Sequence, residues 1–243
     1  MAWTLDPAWA GLAGCFGSLD QVFALQGPQL TSSPLSELIR VEHAGVGYYV
    51  KRYHKAGKGL RRWLGRPRLQ AEWQNLQHFR QWGIGTAALV GWGMEYRHGR
   101  FRRGALITRE IAGAIDLGQL ARAQDPRLAD PRWVDGISRE LARVTRLMHD
   151  RHFAHNDLKW RNLLVDGEDR LYLIDCPMGD FWSWPLLARR QLKDLACLDK
   201  VAKYCLSRSQ RLRFYLHYCQ RARTRTSDRR VIRQILGYFE GRE

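Results

Sequence analysis

The 243-residue chain of 28.3 kDa is 45% hydrophobic and 26% charged, so it has the length for one large domain or two joined lobes and the composition of an ordered globular protein. It contains no Gly/Ser tract, internal repeat or apolar run of about 18 residues, and its start, Met1 to Asp6, lacks a basic-then-apolar pattern; a spanning helix and a secretory signal are not expected, and the cytoplasm is. A formal net charge of +16 requires an anionic partner, which nucleic acid, an anionic membrane face or a phosphorylated substrate would each satisfy.

In chain order, residues 20 to 53 read as an antiparallel meander: Gln21 to Leu25, a turn at Thr31-Ser32-Ser33-Pro34, Ser36 to Glu42, a Gly45 turn, and Tyr48 to Tyr53. A basic loop from His54 to Arg68 leads into a helix in which Leu69, Trp73, Leu76 and Phe79 recur at helical spacing up to Gly83. Ala87 to Trp92 and Ala105 to Ile111 flank the turn-like Arg97-His98-Gly99-Arg100 and read as a hairpin completing the sheet. Past Ala112-Gly113 the pattern turns helical, with an apolar stripe of Ile137, Leu141, Val144 and Leu147 between Trp133 and His149. A second hairpin follows, Leu163 to Val165 and Leu171 to Ile174 around Asp166-Gly167-Glu168-Asp169, and then arginine-rich helices from Leu186 to Phe239. The expected class is α+β and bilobal. A small antiparallel N-lobe sheet with one helix occupies 1–111, a larger, mainly helical C-lobe occupies 112–243, and a cleft lies between them.

The five cysteines, Cys15, Cys176, Cys197, Cys205 and Cys219, are odd in number and form no C-x-x-C pair, so they read as reduced, buried thiols. His149, His152 and His155 straddle a helix end and read as turn and packing residues, not a metal cluster.

The sharpest chemical signal is His155-Asn156-Asp157-Leu158-Lys159-Trp160-Arg161-Asn162, which has the H-x-D-L-x-x-x-N form of a kinase catalytic loop. There Asp157 can accept the proton of an attacking hydroxyl, Asn162 offers a neutral oxygen to Mg²⁺, and Lys159 puts a point charge beside the moving phosphoryl group. Asp175, at the end of the later strand, is the expected second magnesium ligand, returned to the loop by the hairpin. Upstream, Lys51 shares a strand face with Tyr49 and Tyr53, and Glu72 lies on the apolar stripe of its helix, where a charge needs a partner; the two are expected to pair. Gly179-Asp180-Phe181 contains an Asp-Phe pair but lies past the hairpin, with no predicted strand leading into it.

With Lys51, Glu72, the loop from His155 to Asn162, and Asp175 in this order, residues 20 to 205 resemble the protein-kinase-like superfamily. Within it, H-N-D-L-K-W-R-N and L-I-D-C-P look most like the bacterial lipopolysaccharide core kinases. The resemblance implies ATP and Mg²⁺ as cofactors, Asp157 as base, Asn162 and Asp175 as metal ligands, and Lys51, supported by Glu72, as the phosphate-binding lysine. It also implies that Leu106 to Ala112, with Glu110, Ile111 and Ala112 at its end, forms the hinge that presents backbone groups to adenine, and that Asp194 braces the catalytic loop. Three positions depart from the superfamily pattern. No glycine-rich loop is present, so a phosphate cradle would use the amides and hydroxyls of Thr31, Ser32 and Ser33. Asn156 stands where kinases carry Arg, removing the usual partner of a phosphorylated activation loop. Cys176-Pro177 replaces Phe-Gly, and some ten residues separate Asp175 from the next helix, too few for a peptide-docking segment.

The implied activity is phosphorylation of a hydroxyl of a lipopolysaccharide inner-core sugar, heptose first and octulosonic acid (Kdo) next. A Ser/Thr protein kinase, and a pseudokinase or basic binding module, are the alternatives. Basic residues gather in Lys55, Lys58, Arg61, Arg62, Arg66 and Arg68, around Trp63 and Leu64, and in Arg208, Arg211, Arg213, Arg221, Arg223, Arg225, Arg229 and Arg230. They are expected to hold an acidic glycolipid and to make peripheral contact with the cytoplasmic face of the inner membrane; nucleic acid is not the expected partner.

Overall fold

The computed structural model describes residues 3–56 and 66–241. It divides into two compact units, Met1–Gln81 with Thr86–Ala112, and Trp82–Gly85 with Gly113–Glu243.

The first unit opens with β1 (Thr4–Leu5), a 3-10 turn, and two short helices, α1 (Ala13–Phe16) and α2 (Leu19–Ala24). Then come β2 (Gln29–Ser32), β3 (Ser36–His43), β4 (Val46–Tyr53), α3 (Arg68–Gln81), β5 (Leu89–Arg97) and β6 (Arg100–Arg109). The six strands form one antiparallel sheet in the order β1-β5-β6-β4-β3-β2.

Alternation along β4 sorts the sheet into two faces. Tyr48 and Val50 join Phe16, Leu19, Val22, Ile39, Val90 and Ile107 in one buried cluster under the N-terminal helices. The intervening Lys51 and Tyr53 face α3 instead, where both reach Glu72.

Gln21 to Leu25 is a correction: α2 replaces the expected strand. Ser18 caps it, its hydroxyl accepting from Gln21 N at 3.2 Å, Asp20 sits in the first turn, and burial of Leu19 and Val22 holds the single amphipathic turn on the sheet. Buried Arg52 then closes the helix, donating Nε to the Val22 carbonyl at 3.0 Å. The N-terminal unit therefore carries short helices beside the one expected helix.

The second unit contains β7 (Ile115–Asp116), α4 (Leu117–Arg122), α5 (Pro131–Asp150), β8 (Phe153–Ala154), β9 (Leu163–Val165), β10 (Leu171–Leu173), β11 (Asp180–Phe181), α6 (Leu186–Cys205), α7 (Arg208–Tyr218) and α8 (Asp228–Leu236). Asp130 caps α5 and Pro131 takes its first position; Val134, Ile137, Leu141, Val144 and Met148 supply the buried stripe. Two small sheets, β10-β9-β7 and β11-β8, carry the intervening loops. Residues 82–85 belong to this unit because Leu173 N donates to the Gly85 carbonyl at 2.8 Å and the Trp82 ring packs edge-on against Phe153.

Candidate active site

The loop from His155 to Asn162 leaves β8 and is held from below by Asp194 of α6. That carboxylate has no exposed surface; Oδ2 accepts from His155 N at 2.7 Å and Oδ1 from Asn156 N at 2.8 Å, while His149 Nε2 lies 3.4 Å from Oδ2. Asn156 adopts a left-handed φ of 63°, a conformation Asn tolerates better than most residues, and its Nδ2 donates to the carbonyls of Ala154 and Met178. The indole of Trp160 donates to the Leu198 carbonyl at 2.9 Å, a second anchor to α6.

On this frame Asp157 is a quarter exposed. Lys159 Nζ lies 2.6 Å from Oδ1 and Arg161 Nη2 lies 3.7 Å from Oδ2. Asn162 donates Nδ2 to the Asp157 carbonyl at 2.9 Å, which turns its Oδ1 the other way.

The hairpin brings Asp175 to the same place. Ile174 N donates to the Asn162 carbonyl at 3.0 Å, tying the residue before Asp175 to the end of the loop. Asp175 itself takes a left-handed φ of 55°. His155 is fully buried beneath these groups; burial lowers its pKa, against the pull of the Asp194, Asp175 and Asp157 carboxylates, so the ring is neutral at pH 7. The three acids thus share one neighbourhood. A carboxylate and an amide oxygen make a two-donor, all-oxygen set, which suits a hard cation that takes its remaining ligands from phosphates and water. Among the described residues no group of three or more His, Cys, Asp or Glu side chains is placed to hold a metal, and the three histidines do not form such a group.

The Asp-Phe pair set aside in the sequence is structural: Asp180–Phe181 forms β11 against β8, and the Phe181 ring stacks edge-on with Phe153 and Trp82.

In the first unit, Lys51 Nζ lies 2.9 Å from both oxygens of Glu72, which is 4% exposed. Tyr53 donates its hydroxyl to the same carboxylate, a partner that the sequence reading missed although its alternation placed Tyr53 on the Lys51 face. Ser33 closes the β2–β3 turn: its hydroxyl donates to the Ser36 carbonyl and accepts from Ser36 N, both at 3.1 Å, while Thr31 and Ser32 lie exposed in β2. The Glu110 carboxylate accepts from Arg40 and from Tyr49, and the Arg40 bonds hold its pKa below the usual carboxylate range against burial. Glu110 N donates to the Gly47 carbonyl at 2.9 Å.

Of the basic residues, Lys58, Arg61 and Arg62, with Trp63 and Leu64, lie outside the described residues. In the C-terminal set, Arg211 forms two 2.7 Å bonds with Asp199 and Arg221 pairs with Asp228 at 2.9 Å, so these two serve the fold. Arg208, Arg213, Arg223, Arg225, Arg229 and Arg230 are exposed.

Comparison with known proteins covers this same stretch. Residues 25–218 match the model of a family described as lipopolysaccharide kinase (Kdo/WaaP). The chain is 27% identical over 231 residues to the lipopolysaccharide core heptose(I) kinase WaaP of Pseudomonas aeruginosa, covering 89% of this chain and 82% of that protein. It is 26% identical over 123 residues to the 3-deoxy-D-manno-octulosonic acid kinase of Vibrio cholerae, covering 49% of each chain. With the octulosonic acid kinase of Photobacterium profundum it shares 37% identity over 98 residues, 38% of this chain and 39% of that one, so the alignments span half or less of these two relatives. A solved structure described as "WaaP in complex with acyl carrier protein" superposes with a TM-score of 0.78 at 25% identity, covering 99% of this chain and 97% of that one.

Proposed function

The chain belongs to the lipopolysaccharide kinase (Kdo/WaaP) family, and on that premise we propose that it transfers the γ-phosphoryl of ATP to a hydroxyl of a lipopolysaccharide inner-core sugar, with heptose the first candidate and octulosonic acid the second. The observation that supports this reading is the loop braced by Asp194, in which Asn162 bonds to the Asp157 carbonyl and Ile174, the neighbour of Asp175, bonds to the Asn162 carbonyl. Heptose ranks first because the similarity to the heptose kinase runs along most of both chains.

In the proposed reaction the sugar hydroxyl gives its proton to Asp157 as its oxygen bonds to the γ-phosphorus. The bond between that phosphorus and the bridging oxygen breaks, and its electron pair leaves on ADP. Lys159, one hydrogen bond from the base, supplies a mobile positive charge beside the transferring group. Lys51, steadied by Glu72, takes the nucleotide phosphates; Thr31, Ser32 and Ser33 offer amides and hydroxyls to them, and Glu110, Ile111 and Ala112 offer backbone groups to the adenine. Asn162 and Asp175 would hold Mg²⁺, whose charge would offset that of the phosphates.

No described helix is long and apolar enough to cross a membrane. The exposed C-terminal arginines support peripheral contact with an anionic membrane face at the cytoplasmic side, at about 1 kcal/mol per well-placed side chain.

The test incubates the protein with γ-labelled ATP, Mg²⁺ and core glycolipids that lack inner-core phosphate, alongside mixed protein acceptors. Label should enter the glycolipid, and Asp157→Asn should slow this by about 10²- to 10⁴-fold while nucleotide still binds. Label on protein alone would establish the rival Ser/Thr protein kinase, and salt-sensitive binding of nucleic acid without transfer would establish a basic binding module.

A further inference from the structure

The loop sets two cations beside Asp157. Lys159 already sits on Asp157 at hydrogen-bond distance, yet Arg161 Nη2 is held 3.7 Å from the other carboxylate oxygen, too far for a hydrogen bond.

The backbone of Arg161 is fixed from both sides. Trp160 is buried with its indole bonded to the Leu198 carbonyl, and Asn162 is buried with its amide bonded to the Asp157 carbonyl. The Arg161 side chain, by contrast, is 62% exposed. A second guanidinium belongs to the helix packed beside the loop backbone. The point that a Cβ on Gly118 of α4 would occupy lies 3.0 Å from Asp116 Oδ1, 3.3 Å from the Arg161 backbone N and 3.4 Å from Arg122 Nη1, so the Arg122 tip and the Arg161 backbone flank the same glycine. Arg122 is 71% exposed and reaches Asp116 only at 4.0 Å. Both guanidinium forks are therefore anchored at the backbone and largely unspent at the tip, beside the group proposed to activate the acceptor.

We infer that Arg161, with Arg122, is a specificity-determining clamp for an oxyanion carried by the acceptor. That oxyanion is a carboxylate or phosphate on the phosphorylated sugar or its immediate neighbour. Guanidinium binds either group through paired, charge-assisted hydrogen bonds, a geometry that a lysine at the same place does not reproduce. This inference rests on the sugar-kinase reading of the site.

The experiment measures acceptor kcat and KM for wild type, Arg161→Gln, Arg161→Lys and Arg122→Gln. Three matched core glycolipids serve as acceptors: the intact acceptor, which lacks only the phosphate this transfer adds, one with its sugar carboxylates reduced to alcohols, and one stripped of its remaining phosphate. With the intact acceptor, Arg161→Gln should lower kcat/KM by about 10- to 100-fold, chiefly through KM, and Arg161→Lys should recover only part. The acceptor that lacks the recognised anion should be as poor for wild type as the intact one is for Arg161→Gln, and the variant should lose nothing further on it. Whichever treatment erases the difference identifies carboxylate or phosphate as the source. An equal loss on all three acceptors, or none on the intact one, overturns the clamp while the kinase reading stands. Absence of transfer by wild type to any core glycolipid overturns both.

Discussion

Asp194→Asn offers the most direct test of how the site is built. The carboxylate serves two loop amides, with Oδ2 accepting from His155 N and Oδ1 from Asn156 N, and it has no contact with water. An asparagine of the same shape keeps one acceptor and presents an NH₂ group to the other amide. Either orientation orphans one buried backbone N–H of the loop, at a cost of about 1–3 kcal/mol. At about 2–4 °C per kcal/mol for a chain of this size, the thermal midpoint should fall by roughly 2–12 °C. The chemical consequence should exceed the stability loss. Asn156 is held in its left-handed conformation by that bond together with its own side-chain bonds, and Asp157 follows directly. Displacement of a catalytic group by about 1 Å costs on the order of 10²-fold in rate. Calorimetry and single-turnover phosphoryl transfer, both below the variant's midpoint, give the two numbers. A variant that melts early yet transfers phosphate at the wild-type rate would refute the claim that the brace sets the base; one unchanged in both would refute the geometry itself.

Two further outcomes follow from the same reasoning. Glu72→Gln leaves Lys51 Nζ beside a neutral amide and should destabilise the protein by about 1–3 kcal/mol. It should also shrink the rise in thermal midpoint that saturating ATP and Mg²⁺ produce; an undiminished rise would remove Lys51 from the phosphate site. Asp166 closes the β9–β10 turn: burial opposes its charge, but bonds from Arg170, Tyr172 and the Glu168 amide hold its carboxyl well below the usual range. Its contribution is therefore complete above the unfolded value of about 3.9 and is lost as pH falls through the lower folded value. Thermal midpoints from pH 6 to 2 should show wild type and Asp166→Asn converging only below about pH 4, whereas a gap that stays constant to pH 2 would exclude the linkage.

The parts of the molecule legible in sequence are those with strong periodicity or a fixed chemical order. Helix α5 announced itself by its stripe. The side chains of Lys51 and Glu72 were paired correctly because alternation in a strand and the 3.6-residue period in a helix each assign a face. The segment 21–25 failed because Val22 and Phe23 favour strands in isolation, while the deciding signal was local: Ser18 followed three residues later by Gln21 is a helix start, and the apolar sheet beneath made one turn of helix worth forming. The strands β5 and β6 were read too short for a related reason. Their distal ends, Glu95 to Arg97 and Arg100 to Arg103, carry most of the charge and are exposed or half-buried, and cross-strand bonds from Arg102 and Arg103 to Glu95 join them. Arg161 reads only as a letter of the motif, because periodicity cannot reveal that its backbone and the Arg122 tip flank Gly118.

The residues after Asp175 bear on how such a site is controlled. Only residues 176–185 lie between Asp175 and α6. Within them the Met178 carbonyl accepts from the Asn156 side chain at 3.0 Å, Asp180–Phe181 pairs with Phe153–Ala154, and Trp182 N donates to the His152 carbonyl at 2.8 Å. A switchable segment needs slack and a cation waiting for its phosphate. This stretch is short and stitched to the strand and loop that present Asp157, and the position where an arginine would wait is held by Asn156, whose amide is one of the stitches. Ordering that a phosphorylated segment would otherwise supply is built in permanently. The catalytic loop should thus stay assembled whenever this unit is folded, so that the rate responds to acceptor and nucleotide occupancy; treatment with a broad-specificity phosphatase should leave transfer by the purified protein unchanged, and a drop on dephosphorylation would show a switch that these bonds leave no room for.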